Sequence, residues 1–80
     1  MPPAELRYRQ FLKKLKQFGV VEIRSRGKGS ERYLLRPRDP GSLKGPSYTI
    51  RCHGQGDRVK AGTMAACLRR LNIDSNEFWS

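Results

Sequence analysis

The sequence predicts a small α+β domain. Its expected form is a two-layer α-β-β-β-α arrangement: a three-stranded antiparallel sheet, two helices packed on one face, and a short C-terminal helical turn. Three observations predict it. Apolar residues recur at helical spacing towards both ends of the chain. Between them, short stretches alternate apolar with polar residues, and turns rich in glycine and proline separate those stretches. With 80 residues the chain makes one domain, residues 1–80. A chain of that size buries roughly 60% of its unfolded surface, so its core is a single thin layer.

The first helix is expected over Ala4 to Phe18, after Pro2 and Pro3. Leu6, Tyr8, Phe11, Leu12, Leu15 and Phe18 fall on one apolar stripe, while Arg9, Lys13 and Lys16 form a basic row on another face. Gly19 stands where a left-handed residue closes a helix. Strands are expected at Val20 to Ser25, Glu31 to Arg36 and Ser47 to Cys52, the first pair forming a hairpin across the Gly27–Ser30 turn. In the third strand Tyr48, Ile50 and Cys52 point one way and Thr49, Arg51 and His53 the other. Pro37 to Pro46, with three prolines and two glycines, reads as a loop or an extended edge.

After the turn His53–Asp57, a second helix is expected to begin around Lys60–Thr63. Val59, Met64, Cys67, Leu68 and Leu71 supply its core stripe. Arg69 and Arg70 lie near its C-terminus, where the dipole favours cations, and Asn72 closes it. Asp74-Ser75-Asn76-Glu77 has the form of a capping box for a last turn carrying Phe78 and Trp79. That aromatic pair is expected to pack on the domain or on a second copy, which leaves a homodimer open.

Seventeen Lys and Arg against seven Asp and Glu give a net charge of +10. An excess of that size points to polyanionic partners, RNA or DNA first. No apolar run approaches the roughly 20 residues that span a bilayer. Met1 to Glu5 lacks the apolar core of a signal peptide. The chain is therefore expected to be cytoplasmic, with no membrane partner. Cys52 and Cys67 form neither a C-x-x-C pair nor a Cys/His quartet, so both read as packing residues. No metal and no cofactor are expected.

The stretch Gly27-Lys28-Gly29-Ser30-Glu31-Arg32 is a glycine-rich basic turn opening into a strand, with Arg24, Arg26 and Arg36 nearby. Glycines on either side of a lysine let the backbone approach an anion closely. The candidate nucleic-acid contacts are Arg26, Lys28, Gly29, Ser30, Arg32, Arg51 and Lys60.

These features, in this order, closely resemble the HicA toxins of bacterial toxin–antitoxin systems. The likeness rests on the Gly-Lys-Gly-Ser turn entering strand two, strand three running into His53-Gly54, and Gly62-Thr63-Met64 opening a helix that ends Leu68-Arg69-Arg70-Leu71. It runs from about Leu12 to Ile73. The resemblance implies a double-stranded-RNA-binding-like fold, metal-independent cleavage of messenger RNA, and an antitoxin protein that covers the site. The chain departs from the family at one decisive position. Where the family turn reads Gly-Ser-His, with a catalytic histidine, this chain has Glu31. Imidazole titrates near neutrality and can both take and return a proton, whereas a carboxylate, with a reference pKa of about 4.3, is a weaker base. Lys60-Ala61 also replaces the usual Pro-Lys ahead of Gly-Thr, and the Pro37–Pro46 loop is longer and more basic than the family's. The catalytic candidates are His53, the chain's one histidine, and Glu31. Each has a plainer alternative: His53 ordering its own turn, and Glu31 as a salt-bridge partner or an exposed strand residue. The expected function is RNA binding with weak or absent cleavage, the alternative being a non-catalytic module that binds RNA or a protein partner.

Overall fold

The computed structural model describes residues 5–23, 31–51 and 56–79. In chain order its elements are β1 (Glu5–Arg7), α1 (Tyr8–Lys16), β2 (Val21–Ile23), β3 (Glu31–Leu35), β4 (Ser47–Arg51), β5 (Arg58–Lys60), α2 (Ala61–Arg70) and α3 (Ser75–Phe78). Strands β2, β3 and β4 form the expected three-stranded antiparallel sheet, with β3 in the centre. Its register sets Leu34 between Glu22 and Tyr48, and Arg32 beside Ile50. Leu34 and Ile50 are buried, so this face looks inward, towards the helices. They share one core with Tyr8, Phe11, Leu12 and Leu15 of α1 and Met64, Cys67 and Leu68 of α2. Glu22 also lies on the inward face, where its carboxylate accepts a hydrogen bond from the Tyr8 hydroxyl. That contact lets a carboxylate sit beside an apolar layer.

The first helix is shorter than its pattern suggests. Glu5, Leu6 and Arg7 form β1, which pairs antiparallel with β5 as a second, two-stranded sheet. All three are competent helix formers, but tertiary pairing overrides propensity. Leu6 lies opposite the buried Val59, and Glu5 accepts a hydrogen bond from Arg58 at 2.7 Å. Val59 therefore reaches the core from a strand, and α2 starts at Ala61. Both helices spring directly from this ribbon, and the Tyr8 amide is tied to the Asp57 carbonyl at 2.7 Å.

Gly19 and Asn72, after α1 and α2, both take positive φ, at 85° and 58°. Asp74 caps α3 by accepting from the Asn76 amide at 2.8 Å. This cap seats Phe78, 2% exposed, against Phe11, Phe18 and Trp79, with the Lys14 ammonium 5.6 Å from its ring. The aromatic pair thus packs on its own domain.

The segment Pro37–Pro46 is an arm that extends the β3–β4 hairpin. Arg36 donates its amide to Pro46 and Arg38 to Lys44, each at 2.9 Å, in the register set by Leu35 and Ser47. The tip is a turn closed from Ser42 to Asp39 at 3.0 Å. With Pro40 second and Gly41 third at φ 78°, it has the type II form. Gly45 is obligatory, because a Cβ there would stand 2.1 Å from the Arg36 carbonyl oxygen.

Candidate nucleic-acid interface

Alternation along β3 decides where its charges point. Leu34 faces the core, so Arg32 is on the inward side, while Glu31 and Tyr33 look outward. Glu31, half-buried, is directly opposite the exposed Arg51. A carboxylate facing a guanidinium across a ladder is a favourable cross-strand pair. The expected set of contacts is therefore divided: Arg51 is outward beside Glu31, and Arg32 is on the other face. Lys60 is exposed at the N-cap of α2. Of the other candidates, Arg26, Lys28, Gly29, Ser30 and His53 lie outside the described residues, as does Cys52.

Arg36 has a different task from the anion contact its neighbours in sequence suggest. Its Nε donates to the Phe18 carbonyl at 3.2 Å, and its Nη1 donates to the carbonyls of Leu71 at 3.0 Å and Asn72 at 2.8 Å. Those oxygens are at the C-terminal ends of α1 and α2, where helices leave carbonyls without intrahelical donors and the dipole is negative. One guanidinium thus fastens both helix ends to the sheet.

It also fixes where α2 runs. The helix ends against Arg36, at the hairpin-arm end of β3, and begins roughly 15 Å away along its axis. Arg51 and Glu31 close the opposite end of the sheet. A second basic region gathers at the arm end, where sequence reasoning had proposed no site. An open cavity of about 730 Å³ there is lined by Arg36, Pro37, Arg38, Lys44, Gly45, Pro46, Leu71 and Asn72. A smaller one, about 370 Å³, is lined by Tyr48, Ala66, Arg69 and Arg70. The available signal was the basic content of the 37–46 loop beside Arg69-Arg70.

Cys67 is fully buried, and burial pushes its thiol up to about 12. It is a packing residue and a poor nucleophile. Among the described residues no helix is long and apolar enough to cross a membrane.

No family model matches the chain, and no curated protein or solved structure matches it either.

Proposed function

We propose that this chain is a cytoplasmic RNA-binding domain of HicA-like organisation that holds the phosphodiester backbone and cleaves it weakly or not at all. The observation that carries this reading is the state of its cations. Arg51 and Lys60 are exposed but stand opposite Glu31 and Glu5 in their ladders, whereas Arg38, Lys44, Arg69 and Arg70, which line the arm-end cavities, have no carboxylate partner among the described residues. A chain of +10 that leaves these arm-end cations unpaired has them available for phosphates. Glu31 supports the non-cleaving half of the proposal. It occupies the position where the family resemblance calls for imidazole, and it faces Arg51 across the ladder.

The test is RNA binding across a salt series, with cleavage followed on the same RNA. About four to six phosphate contacts predict log K falling against log salt with a slope near −3 to −5. Wild-type protein should leave the RNA essentially intact, and Glu31→His should raise cleavage, since a placed base is commonly worth about 10²–10⁴-fold. Salt-independent affinity, or none below about 10 μM at low salt, would overturn the binding reading. Efficient cleavage by the wild type would overturn the non-cleaving one.

A further inference from the structure

We infer that the RNA backbone is seated in the groove between the 36–46 hairpin arm and the C-terminal half of α2, gripped by Arg38 and Lys44 from one wall and Arg69 and Arg70 from the other. This rests on the RNA-binding reading above and assigns it a surface.

The two cavities are successive stretches of one seam. Pro46 and Tyr48 are near neighbours where the arm enters β4, and Arg70 and Leu71 are adjacent at the end of α2. Arg38, Lys44, Arg69 and Arg70 are all exposed. None makes a side-chain hydrogen bond or ion pair among the described residues, in contrast to Arg58, which pairs with Glu5 at 2.7 Å. No carboxylate lines either cavity. The nearest acid in sequence is Asp39, which accepts the turn bond at the tip of the arm through its backbone carbonyl.

A bare helix C-terminus would repel an anion at this place. Arg36 removes that obstacle, since its guanidinium covers the Leu71 and Asn72 carbonyls and so reverses the local sign. The arm is tied by its ladder of backbone hydrogen bonds and α2 packs on the core. Cations on such elements bind phosphate with little loss of backbone freedom.

The lining favours nucleic acid over an acidic protein. Protein interfaces draw their affinity from aromatic and large aliphatic anchors in pockets. Here the apolar lining is Pro37, Pro46, Ala66 and a Leu71 that is 0% exposed. Tyr48 is the single aromatic in that lining, half-buried and packed against the core.

The experiment measures anisotropy of a labelled RNA across a salt series, with a labelled poly-glutamate peptide in parallel. The proteins are wild type, Arg38→Gln/Lys44→Gln, Arg69→Gln/Arg70→Gln, and the charge-matched Arg9→Gln/Lys13→Gln on the exposed face of α1. Melting temperatures are checked for each, and Arg36 is left intact. Each groove pair should weaken RNA binding roughly tenfold or more and flatten the salt slope by about one to two units, while the α1 pair costs far less. Equal losses from the α1 pair would overturn the groove, leaving only net charge. Groove variants that bind RNA like the wild type would overturn it while sparing the RNA-binding reading. If those variants lost only the peptide, the groove would belong to an acidic protein. Failure of the wild type itself to bind RNA would sink the parent reading and the groove with it.

Discussion

Replacing Arg36 with alanine should be the most damaging single change at the surface of this domain. The side chain is half-buried and donates to three carbonyls on two helix ends: Phe18, Leu71 and Asn72. A hydrogen bond from a charged donor contributes about 1.5–3 kcal/mol. A cation at a helix C-terminus adds about 0.3–1 kcal/mol. Water can reach these oxygens once the guanidinium is gone, so the loss is smaller than the simple total and should be about 2–4 kcal/mol. Domains of this length have a total stability of about 4–12 kcal/mol, and their unfolding entropy is about 0.17 kcal/mol/K. The expected fall in Tm is therefore about 12–24 °C. Thermal and urea unfolding, followed by far-ultraviolet circular dichroism, measure it. Arg36→Lys should recover less than half, because an ammonium cannot span two helix ends as the planar fork does. Arg38→Ala, two residues on, should stay within about 0.5 kcal/mol of wild type. A fall in Tm below about 3 °C for Arg36→Ala would refute the clamp. Full stability in Arg36→Lys would show that charge alone suffices.

Two further predictions concern backbone and thiol. Gly45→Ala should cost more than about 2 kcal/mol, since its Cβ would meet the Arg36 carbonyl at 2.1 Å. Gly41→Ala, with φ 78° but open space around it, should cost about 1 kcal/mol, and equal urea midpoints for the two would contradict the clash. In a Cys52→Ser background, Cys67 should react with a thiol reagent only as fast as the protein unfolds. Its folded-state pKa is raised to about 12, so above about pH 9 the unfolded chain releases a proton that the folded chain keeps. Stability should then fall by up to about 1.4 kcal/mol per pH unit between those values, and Cys67→Ala should remove that part of the slope. Rapid labelling of the folded protein at neutral pH would contradict the burial argument.

The fold was largely legible because its determinants are local. Phe11, Leu12 and Leu15 show the α1 stripe, Gly19 and Asn72 mark both helix ends, and Tyr48–Ile50 gives the inward parity of β4. The start of α1 was not legible. Glu5-Leu6-Arg7 continues the helical stripe, and only Arg58–Lys60, far along the chain, draws it into a strand. The parity of β3 was hidden by Leu34-Leu35, two adjacent leucines that are both buried, so nothing local separated Arg32 from Glu31. The opposition of Glu31 and Arg51 needed the register as well. Arg36 looked like one more cation in a basic stretch. Its role arises where two helix ends converge on it, and no residue spacing encodes that convergence.

The ribbon that joins β1 to β5 has a consequence for the order of assembly on the ribosome. Glu5 and Arg58 are separated by 53 positions, and translation at ~5–20 residues per second takes about 3–10 s to cross them. Through that interval Leu6 has no Val59 to pair with, and the apolar side of α1 has no α2 to cover it. The β3–β4 hairpin closes much sooner, since Leu35 meets Ser47 after only 12 positions. Loop-closure entropy thus favours the short-range pairings of the three-stranded sheet, Ile23 with Tyr33 over 10 positions and Leu35 with Ser47 over 12, and leaves the ribbon and the helices that follow it to close afterwards. Until then, the emerging helix offers a greasy stripe to chaperones.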